Sequence, residues 1–209
     1  MNLDNKVVAV LGDSITEGAC ASKKENSFVD LLNSKYHLKT LNYGIGGTRI
    51  SRQEDVSEWT IFDYDYNLRL TLIPKNIDVL IVFGGTNDFG HGKAPFEGNT
   101  EYSFKGALNI LYDRIDEKYK GKEIVIITPL QREDQQLSLC GLPLIDYVNE
   151  IKRQAKNHNY HILDLYEDKD FKAGSKEFKE NIFEDGLHPN DSGHALIAKK
   201  IYEYLKEIM

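Results

Sequence analysis

Short apolar runs alternate with segments of helical periodicity along the whole of this sequence. The runs are Val7–Leu11, Lys39–Tyr43, Ile77–Phe83, Lys122–Pro129 and Tyr160–Leu165. Between runs, apolar residues recur at helical spacing, as they do over Phe104–Ile115. Each strand–helix unit takes roughly 35–45 residues, which is typical of a parallel sheet with helices on both faces. We therefore predict an α/β fold with a five-stranded parallel sheet.

The length, charge and cysteine content of the chain exclude several classes of protein. Its 209 residues show no linker, repeat or low-complexity tract, so we expect a single domain over residues 1–209. A net charge of −7 argues against a nucleic-acid partner. No run is long enough to cross a membrane, and the N-terminus lacks a secretory signal, so we expect a cytoplasmic protein. Cys20 and Cys140 show neither metal-site spacing nor a disulfide framework.

Two local features complete the expected secondary structure. A glycine-containing loop of about 15 residues is predicted over Phe89–Tyr102, a length that is usual for functional or mobile loops. The last helix is expected to begin at a cap formed by Asp191 or Ser192.

Three polar, glycine-containing motifs follow the first three strands. The first strand runs into Gly12-Asp13-Ser14, and similar motifs occupy Gly44–Arg49 and Gly84–Asp88. In a parallel sheet the carboxyl ends of the strands share one edge, and ligands bind there. We therefore predict that the three motifs lie together, with Ser14 as a candidate nucleophile.

A serine hydroxyl needs a general base before it can act as a nucleophile. Among the six histidines, His188 is the strongest candidate because Asp185 precedes it by three residues. That spacing lets the carboxylate accept a hydrogen bond from Nδ1–H, which leaves Nε2 free to take the proton of the serine. The same Asp-Gly-Leu-His-Pro sequence is equally typical of a capped loop that enters a helix.

Acyl transfer also needs hydrogen-bond donors around the developing oxyanion. Backbone N–H groups at Gly46-Gly47 can approach a substrate closely because glycine has no Cβ. Asn87 offers a side-chain amide after the third strand. Each motif alone is typical of a plain strand-to-helix turn, but together they complete the groups that acyl transfer requires.

Four ordered blocks resemble those of the SGNH hydrolases, also called GDSL-type esterases and lipases. The blocks are Gly12-Asp13-Ser14, Asn42–Thr48, Gly84–Asp88 and Asp185–Pro189. The first reads Gly-Asp-Ser-Ile where the family name has leucine, which is an apolar equivalent. The resemblance implies a flavodoxin-like three-layer α/β/α sandwich. It also implies a serine carboxylic-ester hydrolase that works through an acyl-enzyme, without a cofactor or metal.

The resemblance also implies roles for individual residues. Ser14 would be the nucleophile, His188 the general base and then acid, and Asp185 its orienting carboxylate. The oxyanion hole would consist of the Ser14 N–H, Gly47 and Asn87. The sequence leaves open which of Gly44, Gly46 and Gly47 donates, and we select Gly47 from its position before Thr48.

The expected partner is a small ester with a short acyl or acetyl group, and an acylated carbohydrate is one candidate. The segments Trp59–Tyr66 and Phe89–Gly98 are expected to shape the pocket. The residues expected to bind substrate are Asp13, Arg49, Trp59, Phe89 and His91. Arg49 would hold an anionic group, although a surface charge or a salt bridge to Asp55 or Glu58 is the alternative. Instead of binding substrate, Asp13 would alternatively form a hydrogen bond to the backbone of its own turn or to a neighbouring loop.

Other functions would use some of the same residues. A metal-dependent phosphoesterase would ligate divalent ions through Asp13, Asn87, Asp185 and His188. A catalytically silent sugar-binding protein would keep the fold without the chemistry. Nucleotide binding is disfavoured because the sequence has neither G-x-G-x-x-G nor a P-loop. Loss of activity on chelation identifies the first alternative, and covalent labelling of Ser14 excludes the second.

Overall fold

A computed structural model describes residues 3–55, 63–134 and 136–209. The strands are β1 (Val7–Gly12), β2 (Lys39–Gly44), β3 (Val79–Phe83), β4 (Glu123–Ile127) and β5 (His161–Leu163). They form one sheet in the order β2-β1-β3-β4-β5, and every neighbouring pair is parallel. This confirms the predicted five-stranded parallel sheet.

The helices in the described part of the chain follow the strands in alternation. They are α1 (Ser14–Glu17), α2 (Phe28–Ser34), α3 (Tyr66–Leu70), α4 (Thr86–His91), α5 (Phe104–Lys118), α6 (Leu144–Asn157), α7 (Lys176–Asn181) and α8 (Asp191–Ile208). Short 3-10 turns occur at Lys24–Asn26 and Lys169–Phe171.

Two apolar cores lie on opposite faces of the sheet, because side chains alternate along each strand. On one face Ala9 and Leu11 of β1 belong to a cluster with α5 and α6. On the other face Val8 and Val10 belong to a cluster with α2 and α8. The result is the three-layer α/β/α arrangement that the sequence predicts.

Two short helices were not predicted. Residues 86–91, part of which we expected to be loop, form α4, so the loop begins at Gly92. Gly85, which precedes α4, has φ of +106°, a conformation that glycine allows at little cost. The four residues of α1 begin at Ser14 itself. Both helices are too short to show a full apolar period, so the sequence pattern does not reveal them.

The cap of the last helix also differs from expectation. Asn190, rather than Asp191 or Ser192, is the N-cap of α8, and its side chain accepts a hydrogen bond from the Gly193 N–H. Within residues 3–55, 63–134 and 136–209, no helix has the length and apolar character needed to cross a membrane.

Candidate active site

Ser14 lies at the carboxyl end of β1, one of the three inner strands of the sheet. It is the first residue of α1, and Asp13 caps this helix by accepting a 3.1 Å hydrogen bond from the Ile15 N–H at Oδ1. The first N–H groups of a helix have no partner within the helix. The Ser14 N–H is therefore free to donate to a ligand, beside its own hydroxyl group.

Gly12 lets α1 turn back tightly on the end of the strand. A Cβ atom at this position would lie 1.9 Å from Thr16 Oγ1 and 3.0 Å from the carbonyl oxygen of Phe83. The first distance is shorter than real Cβ contacts, so Thr16 would have to shift, and the second is unusually tight. Glycine at residue 12 therefore allows the strand to end and α1 to begin without this clash.

Ser14, His188 and Asp185 form a continuous hydrogen-bonded chain. Ser14 Oγ lies 2.8 Å from His188 Nε2, and His188 Nδ1 lies 2.6 Å from Asp185 Oδ2. A carboxylate can only accept, so Nδ1 carries the proton and Nε2 accepts from the serine hydroxyl. This is the geometry of a nucleophile, a base and an orienting acid.

Asp185 is held ionised by its hydrogen bonds. Partial burial disfavours its charged form, but donation from the His188 ring and from two backbone N–H groups outweighs burial, so that the pKa of Asp185 falls below its ordinary value. The backbone donors are Leu187 and His188, each 3.0 Å from Oδ1. The carboxylate thus orients the imidazole with one oxygen and anchors the loop with the other.

Contacts made by α8 hold the loop that carries Asp185 and His188 against residues 19–22, which follow Ser14 in the chain. The Asp191 carboxylate accepts from the Ser22 N–H at 2.8 Å and from the Ser22 hydroxyl at 2.7 Å. His194 is fully buried, and its Nε2 lies 3.0 Å from the carbonyl oxygen of Ala19. These contacts join residues 19–22 to the start of α8, and they fix the two sides of the triad relative to each other. Asp191 was expected only as a possible cap of the last helix, and no sequence motif marked the role of His194.

The glycine segment after β2 lies beside Ser14. A Cβ on Gly46 would lie 3.6 Å from Ser14 Cβ. The N–H groups of Gly44 and Gly46 donate to Asn42 Oδ1 and Glu17 Oε2, each at 2.8 Å. The Gly47 N–H has no acceptor among the described residues, and Gly47 adopts a φ of +73°. Of the three glycines, Gly47 is therefore the one with a free donor.

Asn87, in the first turn of α4, is anchored by one amide hydrogen. Its Nδ2 donates to the carbonyl oxygen of Thr48 at 2.9 Å, and the residue is 6% exposed. An amide nitrogen carries two hydrogens, so the second remains for a ligand. The bond to Thr48 also links Asn87 to the segment that carries Gly47.

Arg69 is a site-organising residue that the sequence analysis missed. Its guanidinium is almost fully buried and donates to the carbonyl oxygens of Gly12 and Tyr43 and to the Thr48 hydroxyl. It also stacks on the ring of Tyr66, with Cζ 4.7 Å from the centroid. One side chain thus joins the ends of two strands to the glycine segment, and no sequence motif marked it.

Asp88, the residue after Asn87, also holds a backbone segment of the site in place. Its buried carboxylate accepts from the N–H groups of Ile50 and Ser51, both at 2.9 Å, and from the Ser51 hydroxyl. Burial raises its pKa, and these hydrogen bonds partly oppose the increase. Residues 49–51 are therefore fixed to the helix that carries Asn87.

Two of the residues expected to bind substrate lie inside the protein. Asp13 is 2% exposed, and it caps α1, which is the alternative that we had left open for it. Phe89 is 3% exposed and packs edge-on against Tyr147, with ring centroids 5.8 Å apart. Burial leaves neither side chain an appreciable surface for substrate contact. Trp59 lies outside the described residues.

Burial also changes the protonation of Asp13. It raises the pKa of this carboxyl group from 3.8 to about 6, while the Ile15 hydrogen bond and the charges of His188 and Arg69 act in the opposite direction. Asp13 is thus near enough to His188 for their charges to interact.

Arg49 and His91 lie near each other, at the carboxyl edge of the sheet. Arg49 is 6% exposed, so it is not a surface charge, and within the described residues it forms no ion pair with Asp55. The other suggested partner, Glu58, lies outside the described residues. His91 is exposed at the end of α4. Partial desolvation, followed by the charges of Arg49 and Arg132, lowers its pKa.

Within the described parts of the chain, one group of side chains is arranged so that it could hold a metal ion. The ligand atoms of Cys20, Asp185 and His188 lie within 4.8 Å of one another. Burial and the neighbouring Asp185 charge raise the pKa of the Cys20 thiol, which favours the protonated form over the thiolate that metals bind. Asp185 and His188 are also already bonded to each other, so the group fits a triad better than a metal centre.

Comparison with known proteins finds relatives and solved structures that are similar to this chain over almost its whole length. The chain is 23% identical over 223 residues to YpmR, an uncharacterized protein of Bacillus subtilis (strain 168), with 96% of this chain and 82% of that protein covered. A solved structure from Lactobacillus plantarum has a TM-score of 0.81 at 24% identity, covering 99% of both chains. The acetyl xylan esterase AlAXEase has a TM-score of 0.65 at 22% identity, covering 97% of this chain and 100% of that one.

Residues 10–196 match the GDSL-like Lipase/Acylhydrolase family, a span that contains all four of the blocks described above. The protein is therefore a hydrolase that belongs to the GDSL-like lipase and acylhydrolase family, within the SGNH hydrolase superfamily.

Proposed function

We propose that this protein is a serine esterase that hydrolyses small esters through an acyl-enzyme. The observation that carries the proposal is the hydrogen-bonded chain Ser14–His188–Asp185, with distances of 2.8 Å and 2.6 Å. Three free donors accompany it, namely the N–H groups of Ser14 and Gly47 and the second amide hydrogen of Asn87. A nucleophile, a base and an oxyanion hole on one sheet edge are the groups that acyl transfer requires.

The proposed reaction has two steps. Ser14 Oγ attacks the ester carbonyl while His188 Nε2 takes its proton, and the three donors stabilise the tetrahedral oxyanion. His188 then gives the proton to the departing alcohol, which leaves an acyl group on Ser14. His188 then takes a proton from the water that attacks the acyl-enzyme and returns it to Ser14 Oγ as the carboxylic acid is released. Asp185 stabilises the imidazolium in both steps without taking the proton.

A short acyl chain fits the arrangement better than a long one. A cavity of about 620 Å³ is lined by Pro95, Phe96, Glu97, Cys140 and Leu142 together with polar residues of α6, and none of the triad residues borders it. A long chain would need an apolar channel that begins at Ser14. Similarity in fold to an acetyl xylan esterase makes an acetylated carbohydrate a suitable first substrate to test.

Labelling with a fluorophosphonate tests the mechanism, because this reagent reacts with activated serines. We expect intact-protein mass spectrometry to show one adduct, located at Ser14 and missing from Ser14→Ala. Folded protein that takes up no label would refute the proposal. A metal chelator should leave the hydrolysis rate unchanged, and loss of activity that added metal restores would favour the phosphoesterase alternative.

A series of p-nitrophenyl esters then tests the size of the acyl group. We expect kcat/KM to be highest for acetate to butyrate. An optimum at eight carbons or more would contradict the short-chain proposal while leaving the serine mechanism in place.

A further inference from the structure

Arg49 is a buried cation whose side chain has no hydrogen-bonding partner among the described residues. Its Nε atom is enclosed and makes no hydrogen bond, and no acceptor or ion-pair partner of the guanidinium is found among the described residues. Asp88 and Asp63 lie near enough for their charges to favour its protonated form, yet neither pairs with it. A buried charge without a partner is costly, and proteins retain such groups rarely.

The backbone around Arg49 is held rigidly at the edge of the active site. The Arg49 carbonyl oxygen accepts from the Tyr66 N–H at 3.1 Å, and the next two N–H groups donate to Asp88. Arg49 is two residues from Gly47, so their Cα atoms are at most about 7.6 Å apart. A fixed backbone beside an oxyanion donor keeps the start of the Arg49 side chain close to the active site.

The α4 helix places a second polar group at the same point. His91 follows Asn87 by four residues within α4, so the two side chains share a helix face with Cβ atoms about 5–6 Å apart. Arg49 and Arg132 both interact electrostatically with His91. Arg132 is neutralised by its two-point contact with Asp134 at 2.8 and 2.9 Å, whereas Arg49 has no such partner in the part of the chain that the structure describes.

We propose that Arg49, with His91 beside it, forms an anion subsite that selects esters bearing a carboxylate a short distance from the scissile carbonyl. A planar guanidinium binds a carboxylate through two parallel hydrogen bonds, and the low dielectric of a buried site strengthens them. The substrate anion supplies the partner that the described residues do not. This inference rests on the proposed esterase function and adds the charge of its substrate.

Matched ester pairs test the subsite in the folded, active enzyme. On the acyl side we compare p-nitrophenyl hemiglutarate with p-nitrophenyl valerate, and on the alcohol side 4-acetoxybenzoate with 4-acetoxybenzamide. We expect kcat/KM to favour the charged member of at least one pair by about 10- to 100-fold, the range that one hydrogen-bonded charge pair supplies.

Substitutions then assign the preference to Arg49. Arg49→Gln should remove the preference by slowing the charged ester while largely sparing the neutral one, and Arg49→Lys should retain part of it. Lys176→Gln removes a positive charge from an exposed site on α7 and should behave as the unchanged protein. Equal charged-to-neutral ratios in the unchanged protein and in Arg49→Gln would overturn the inference. A purely structural role would slow both esters alike. If Arg49→Gln does not fold, the charged-to-neutral ratio of Arg49→Lys is compared with that of the unchanged protein. A ratio that does not fall overturns the inference.

Binding to Ser14→Ala separates this inference from the proposed function. Glutarate and 4-hydroxybenzoate are the anionic products of the two charged esters, and at least one should raise the melting temperature of Ser14→Ala but not of Ser14→Ala/Arg49→Gln. Anion binding in a protein that hydrolyses no ester would uphold the subsite and refute the esterase. Hydrolysis without charge preference and without anion binding would uphold the esterase and refute the subsite.

Discussion

Asp13→Asn isolates the cost of a buried charge that lies directly beside the candidate nucleophile. Asp13 is 2% exposed, and burial raises its pKa from 3.8 to about 6. Asparagine is also a good N-cap residue, so the hydrogen bond from the Ile15 N–H can persist after the charge is removed. The variant therefore changes the charge while leaving the cap in place.

The sign of the effect follows from the direction of the pKa shift. Because the folded-state pKa of Asp13 is above the unfolded value, the folded protein binds this proton more tightly than the unfolded chain does. The free energy of unfolding therefore falls as the pH rises from about 4 to about 6. A shift of about two pKa units corresponds to about 3 kcal/mol once Asp13 is ionised in both states.

Urea unfolding followed by circular dichroism measures this difference. We expect Asp13→Asn to exceed the unchanged protein in free energy of unfolding by up to about 3 kcal/mol near pH 8, and by much less near pH 4. Asp113→Asn is the control, because the Asp113 side chain on α5 is 63% exposed and its removal should show no such trend. A difference that stays constant with pH would refute the reasoning, as would lower stability of Asp13→Asn near pH 8.

The same substitution should reduce catalysis. The Asp13 and His188 charges interact, so an ionised Asp13 favours the imidazolium that forms as Ser14 attacks. We expect Asp13→Asn to lower kcat while raising stability, the trade-off often seen where active sites carry strained or buried charges.

Three further substitutions test the parts of the site separately. Asn87→Ala should lower kcat by about 10²–10³ with little change in KM, because it removes an oxyanion donor; an unchanged kcat would exclude the assigned role. Arg69→Met should destabilise the fold by roughly 3–5 kcal/mol in urea unfolding, since it leaves several buried acceptors without a donor, and Arg69→Lys should restore only part of this loss. Gly12→Ala should lower the melting temperature and slow fluorophosphonate labelling, because its Cβ would lie 1.9 Å from Thr16 Oγ1; normal labelling would contradict the close packing.

The sheet and the positions of the motifs could be predicted because they depend on local patterns. Buried parallel strands are short apolar runs, and a strand that ends in Gly12-Asp13-Ser14 presents the serine at the carboxyl edge whatever the details of packing. The Asp185–His188 contact follows from a three-residue separation. Such features need little knowledge of distant parts of the chain.

The parts that were missed depend on contacts between distant residues. Arg69 bonds to Gly12, which is 57 residues away, so no window of sequence shows its role. Phe89 follows a polar motif and was expected to face the substrate, but α4 turns it against Tyr147. Asn190 and Asp191 are both good cap residues, and only the fold shows that Asp191 is already engaged by Ser22.

The buried charges at the carboxyl edge differ in how well the protein compensates them, and this difference separates scaffold from site. Arg69 and Asp88 are each satisfied by several hydrogen bonds to the segments that they position. Among the described residues, the Asp13 carboxyl group accepts one hydrogen bond and the Arg49 side chain makes none. A charge that serves only the fold can have all of its hydrogen-bonding groups paired. A charge that exchanges a proton or binds a substrate has to keep some of these groups unpaired. We therefore propose that Asp13 and Arg49, the least compensated of these four charges among the described residues, are the ones that act on the reaction.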